Sequence, residues 1–332
     1  MYKQGLWRRA GRLLGGAALV LLTVVGAGSA HAQGYPTRPL RLVVGFPGGT
    51  GPDLVARVVA QKLQEALGQG VVVDNKPGAA GLIAAREAAK AAPDGYTIFL
   101  GEVGGMAIAP STYSRLGFDP VNDFAPISHL VTSDFAFVVP ASLPPKNLKE
   151  YADWAKAQKN VFMGTFGAGT PGHFGIAMVT DAMQIKSEAV HYKNTGDAIN
   201  GIITGDTQGM FGTLALVAPH VKAGKLKALA TSGSTRSAML PDVPTAQEQG
   251  YPAVEFGAWF GLYAPAKTPA EVLETLSRAT MNGLKAQDAR ERLQGAGFRI
   301  AGSGRQELDR LLREDIPRWE KVVKSTGFKA QE

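Results

Sequence analysis

Beyond an apolar N-terminal stretch, the chain alternates two hydrophobic periods. Residues 40–46 form an apolar run of strand length, and Leu54, Val55, Val58, Val59, Leu63 and Leu67 then recur at helical spacing over 54–67. Residues 70–74 read as a strand, 82–92 as a small-residue helix, Pro93-Asp94-Gly95 as a turn, and 96–100 as a third strand. This βαβαβ order, joined by right-handed crossovers, predicts a parallel sheet with both strand-to-helix turns at one edge.

A second block repeats the pattern. Residues 135–139 are strand-like, 148–158 form an amphipathic helix carrying Trp154, and strand-like 161–163 leads through a glycine-rich loop into a helix over 174–183. Short strands are predicted at 189–192, 209–212 and 226–231, with a helix at 198–204. After Pro241 and Pro244 the chain turns through 259–264 into helices at 269–286 and 306–326. Closing helices that return to the first domain would give two chain crossings. No tandem repeat and no low-complexity tract interrupts this order.

The junctions carry the candidate chemistry. Pro47-Gly48-Gly49-Thr50-Gly51-Pro52-Asp53 and Pro77-Gly78-Ala79-Ala80-Gly81 each join a strand to a helix. Such a turn aligns unpaired N–H groups at the positive end of a helix dipole, a ready site for a small anion. Two in succession suggest a carboxylate clamp. In the second block Thr170 is a good N-cap, with Pro171 at the first helical position, so a third helix start is available to a ligand.

Composition narrows the setting. Lys3, Arg8, Arg9 and Arg12 precede an uncharged run to Gly28, and Ala30-His31-Ala32 supplies small residues, which reads as a secretory signal cut after Ala32. A retained anchor fits less well, because the run is short and thinned by glycine. Those four basic residues supply most of the formal +7, leaving +3, so no nucleic-acid footprint is evident. Cysteine is absent, which excludes disulfides and thiolate chemistry. A soluble protein of the bacterial periplasm is expected.

The glycine-rich turns, Ala92-Pro93-Asp94-Gly95-Tyr96, His191-Tyr192-Lys193, the 219–226 segment, Leu240-Pro241-Asp242-Val243-Pro244-Thr245 and Trp259-Phe260-Gly261 together resemble the Bug (TctC-like) solute receptors of tripartite tricarboxylate transporters. The resemblance covers nearly the whole chain after the leader. It implies an α/β flytrap of the type II-like periplasmic binding fold, each lobe a mainly parallel sheet flanked by helices. One lobe would comprise 33–131 plus 253–332 and the other 132–252. It implies a small carboxylate between the lobes, held at Phe46 to Asp53 and at Pro77 to Gly81, with second-lobe contacts at Gly167 to His173 and Lys193 to Asp197. It also implies delivery to membrane subunits of a transporter by a monomeric receptor without cofactor, metal or catalysis.

Each residue also has a plainer reading. Gly48 and Gly49 permit a tight turn, Asp53 suits the first turn of a helix, and Thr170 is a cap. His173 and Lys193 fit structural and surface roles, while Thr195 is a candidate direct contact. Phe46, Phe166 and Trp259 suit a core, but Phe46 and Phe166 border loops that should open onto the cleft. The expected ligand-binding set is therefore Phe46, Gly48, Gly49, Asp53, Gly78, Ala79, Ala80, Gly81, Phe166, Gly169, Thr170, His173 and Thr195. Four features depart from the family pattern: Phe166 in place of a small residue, Gly212 in place of an acidic one, Glu102 in place of a small hydroxyl residue, and the run Asn194-Thr195-Gly196-Asp197. A carboxylate at 102 facing an anionic solute is unfavourable unless protonated, paired, or aimed at a hydroxyl or cation. The competing class, an exported hydrolase or nucleotide-using enzyme, lacks its motifs: there is no phosphate-binding Gly-x-x-x-x-Gly-Lys-Ser/Thr, no Gly-x-Ser-x-Gly and no His-Glu-x-x-His. A sensor feeding a signalling partner would look the same in sequence.

Overall fold

The computed structural model describes residues 34–192 and 195–329, and at Ala80 the backbone alone. The expected leader, Lys193 and Asn194 lie outside the described residues.

Strand β1 (Leu40–Val44) is an apolar run because it is interior to its sheet: Leu42, Val43 and Val44 are fully buried. It pairs in parallel with β2 (Val71–Asn75) on one side and β3 (Thr97–Glu102) on the other. Helix α1 (Gly51–Leu67) fills the first crossover, pressing Val55, Val58, Val59 and Leu63 into the core, and stops at Gly68 in a left-handed conformation. Helix α2 (Leu82–Ala89) fills the second, following a single 3₁₀ turn over Ala79–Gly81, and the short helix α3 (Ala109–Thr112) comes after β3.

Strand β4 (Phe124–Pro140) joins the two lobes. Through Asp134 it pairs antiparallel with β9 (Gly257–Pro265), and β10 (Phe298–Ser303) takes its other edge. From Phe135 onward the partners become β7 (Gly209–Thr213) and β8 (Leu226–Thr231). Beyond β7 lie β5 (Phe162–Thr165) and β6 (Glu188–His191), both in parallel. The parallel order expected from the sequence thus belongs to β1–β3 and β5–β7. The strands at the junction, β4 and β9, run antiparallel, because the chain must leave one lobe and come back. Ser232 fastens that junction: its Oγ accepts the Phe135 N–H at 3.0 Å and donates to the Phe256 carbonyl at 2.7 Å.

The first half of β4 escapes a search for apolar runs, since Ser128, His129, Thr132, Ser133 and Asp134 interrupt it. Several of these side chains are buried with partners. Ser128 donates to the Ser303 carbonyl at 2.6 Å, and Asp134 receives both forks of Arg299 at 3.1 Å.

Four helices flank the second sheet in chain order: α4 (Leu148–Lys156) after β4, α5 (Pro171–Met183) after β5, α6 (Thr195–Thr204) after β6 and α7 (Leu214–Lys222) after β7. Val138, Ile202, Met210, Leu214 and Val217 form a core on this side, with Phe166 and Tyr192 packed against it. Helices α8 (Ala270–Lys285), α9 (Gln287–Gly295) and α10 (Arg305–Thr326) close the chain. Phe328, just past α10, lies against His173 and Phe174 of α5. No helix among the described residues is long and apolar enough to cross a membrane.

Candidate functional site: an aromatic cleft between helix starts

The β1–α1 loop is organised from within. Thr50 precedes α1 and its hydroxyl donates back to the Pro47 carbonyl at 2.7 Å. Asp53 in the first helical turn is buried, and its carboxylate accepts the Gly49 N–H at 2.9 Å, Arg57 Nε at 2.8 Å and Asn75 Nδ2 at 3.0 Å. Burial works against the charge of Asp53, but the hydrogen bonds from Arg57, Gly49 and Asn75 more than offset it and hold the carboxyl below its usual range. Asn75 also donates to the Phe46 carbonyl at 3.0 Å, which ties β2 to the loop.

The β5–α5 loop repeats this plan. Thr170 caps α5 by accepting the His173 N–H at 3.3 Å, and its hydroxyl donates to the Gly167 carbonyl at 2.9 Å. His173, in the first helical turn, accepts the Gly169 N–H on Nδ1 at 3.1 Å. Burial, reinforced by the edge of the His191 ring 4.6 Å away, pushes His173 down to about 4. It therefore stands neutral, as the acceptor role demands.

The two glycine-rich turns of the first lobe meet. A Cβ on Gly45 would lie 2.6 Å from the Gly81 Cα, an approach that only glycine permits. Gly81 adopts φ 86°, and with Gly45, Phe46 and Glu102 it lines a small cavity beside the main cleft.

That main cleft has a volume of about 670 Å³ and a largely aromatic lining: Phe46, Phe135, Phe166, Phe260, Phe298 and Phe328. Helix starts reach it from both lobes, Gly51 and Pro52 from α1 and Thr170, Pro171 and Gly172 from α5. First-turn N–H groups have no acceptor within their own helix, so both ends can turn toward an anion. The described lining contains no Lys, Arg or His.

Of the residues expected at the site, Phe46, Phe166, Gly169 and Thr170 line the cleft, and Gly81 lines the adjoining small cavity. Asp53 and His173 stand behind the loops and hold their shape. The Gly49 and Gly169 N–H groups are directed at those two side chains. Gly48, Gly49, Gly78, Ala79 and Thr195 are not among the residues lining either space. Trp259 is buried away from the cleft, with Nε1 donating to Asp315 at 2.6 Å. Gly51 and Pro52, within the 46–53 stretch expected at the site but not singled out there, line the cleft, while sequence reasoning missed Tyr113, Phe298 and Phe328. Those three sit on short or late elements whose only sequence signal is an aromatic side chain.

Two departures from the family pattern, Phe166 and Gly212, lie side by side. A Cβ on Gly212 would strike Val217 at 2.3 Å and meet the Phe166 ring at 3.6 Å. The approach to Phe166 is ordinary van der Waals contact, so it is Val217 that leaves no room for a side chain at 212. The third departure, Glu102, ends β3 with a partly buried carboxylate that accepts the Gly104 N–H at 2.8 Å. Burial raises Glu102 to about 7 against the pull of the Gly104 and Gly105 N–H groups, and no cation among the described residues contributes.

A family model described as the tripartite tricarboxylate transporter family receptor, TctC, matches residues 55–328. BugT of Bordetella pertussis is 30% identical over 324 residues, covering 96% of this chain and 98% of that protein. Among solved structures, MatC from Rhodopseudomonas palustris with bound malate superposes with a TM-score of 0.73 at 31% identity, covering 87% of this chain and 100% of that one. An R. palustris protein solved with adipate gives 0.77 at 31%, covering 89% and 99%.

Proposed function

The chain belongs to the tripartite tricarboxylate transporter receptor family, and from that premise we propose that it captures a small carboxylate in the periplasm, after loss of its leader, and delivers it to the membrane subunits of such a transporter. The observation that carries this reading is the placing of two helix starts, Gly51-Pro52 and Thr170-Pro171-Gly172, on one aromatic cleft whose described lining carries no cationic side chain. Backbone dipoles held by Asp53 and His173 attract an anion without the entropy cost of ordering long charged side chains. The malate and adipate of the related structures are carboxylates of a size such a cleft accepts.

The mechanism is a population shift. The solute docks at the α1 start, contacts at the α5 start lower the energy of the closed arrangement, and the junction at Ser232 and Asp134 lets the lobes move as units. The test is a thermal-shift screen of protein refolded to strip carried ligand, against aliphatic, aromatic and amino carboxylates, with calorimetry on each hit. A carboxylate that raises Tm with the logarithm of its concentration and is not turned over is the expected result. A flat response across the panel would overturn the reading.

A further inference from the structure

Glu102 is the one carboxylate among the described residues of the cleft lining, and no cation faces it there. Its position is built, since Gly104 has no side chain where a Cβ would come within 2.7 Å of Glu102 Oε2, and the Gly104 N–H donates to that same oxygen. The π turn that begins at Gly104 thus wraps around the carboxylate. Yet a single role as a cap for that turn does not require an acid, because a serine or asparagine satisfies an N–H without placing a charge in an aromatic cleft. What the acid adds is a strong acceptor, bonded by backbone N–H groups but with no cation among the described lining residues, on the same cleft as Phe46, Tyr113 and the helix starts that would hold the solute's anionic end.

We propose that Glu102 selects a solute with a single carboxylate, an apolar body, and a hydrogen-bond donor such as a hydroxyl, an amine or an amide N–H at the end that meets Glu102, and that it rejects solutes carrying a second carboxylate there. The proposal rests on the carboxylate reading above and sharpens it. The six phenylalanines suit the apolar body. The donor adds to the backbone N–H bonds that Glu102 already accepts, while a second carboxylate would meet like charge in a partly dehydrated space, at a cost of about tenfold or more in affinity. Dicarboxylates such as malate and adipate, bound by related proteins, are accordingly poor solutes for this one.

Two matched series test this by calorimetry at about pH 8.5, above the value of about 7 at which Glu102 titrates: hexanoate, 6-aminohexanoate and adipate, and benzoate, 4-aminobenzoate and terephthalate. In at least one series the donor-bearing member is expected to bind tightest and the second carboxylate weakest, about tenfold or more apart. Glu102→Gln keeps an acceptor for the Gly104 N–H and should shrink that spread by a similar factor. Glu102→Ser serves the same end if the first variant does not fold, and the ranking by the unaltered protein stands without either. A dicarboxylate that binds as tightly as its donor-bearing partner, or a ranking unmoved by the substitution, overturns the inference and leaves the carboxylate reading intact. The same holds if other carboxylates bind and every member of both series fails. If no carboxylate of any kind binds, both fall.

Discussion

The β1–α1 and β5–α5 loops are two solutions to one problem. In each, a threonine precedes the helix, its hydroxyl reaches back to a carbonyl three residues earlier, and a buried side chain in the first helical turn accepts a glycine N–H four residues back. They differ in the acceptor. Asp53 is an anion that Arg57 and Asn75 also bind, whereas His173 is a neutral ring packed on His191, Phe174 and Phe328. A glycine-rich loop that must present backbone N–H groups needs an anchor behind it, and the anchor can be charged or neutral provided it stays an acceptor. The charged anchor is cross-linked to a neighbouring strand, while the neutral one depends on ring packing and on staying unprotonated.

The largest effect is expected from removing the charged anchor. Asp53→Ala leaves Arg57, Asn75 and the Gly49 N–H without their common partner and should cost about 3 kcal/mol of stability and abolish solute binding. His173→Ala, which forfeits one such bond and some packing, should cost about half as much. Chemical denaturation of both variants makes the comparison, and equal losses would remove the distinction between the anchors.

Glu102 is the counterexample to Asp53, a first-lobe carboxylate with no cation partner among the described residues. Its folded value of about 7 lies above the ordinary 4.5, so the associated stability is complete below 4.5 and is lost as pH rises through 7. Glu102→Gln escapes that loss and should gain up to about 3 kcal/mol on the native protein between pH 4.5 and 8. Melting curves of the two at both ends of the range give the answer, and a constant difference would show that the acid is not strained by burial.

Acid should separate the two loops. His173 has its folded value depressed to about 4, as does His129 through burial and the nearby Arg299, so their contribution is present above the unfolded 6.5 and is lost as pH falls toward 4. Asp53 is also depressed, from 3.8, and its loop holds until the pH falls below that value. Hydrogen exchange between about pH 6.5 and 4 should therefore show the Gly169 amide losing protection before the Gly49 amide. His173→Asn, with a side-chain oxygen that can replace Nδ1, should blunt the difference.

The smallest effect concerns the cleft wall. Gly212→Ala would drive a methyl into Val217 and should cost about 1–3 kcal/mol. Phe166→Ala should leave the fold intact and widen the range of solutes bound. If the Phe166 variant keeps the same solute ranking, the ring does not shape the site.

Much of this molecule was legible in order. The glycine-rich junctions, the Thr170 cap with Pro171 behind it, and the strands at 40–44 and 226–231 follow from local rules, because strand period, capping and glycine turns are decided within a few residues. The 124–134 half of β4 was hidden by its polar residues, whose partners Ser303 and Arg299 lie more than 160 residues away. Phe298 and Phe328 gave no sign of their place in the cleft for the same reason.

By itself the sequence determined the alternation of strands and helices, the helix starts that can face an anion, and the family. Which groups line the cleft was decided only by the tertiary structure: the Gly49 and Gly169 N–H groups turn toward Asp53 and His173, while Gly51 and Gly172 stand in the cleft lining. The proximity of Phe166 to Gly212, and the lack of a cation among the described residues around Glu102, were settled there too. Local propensity acts along the chain, but burial, charge pairing and the direction of an N–H depend on what the fold brings in from elsewhere.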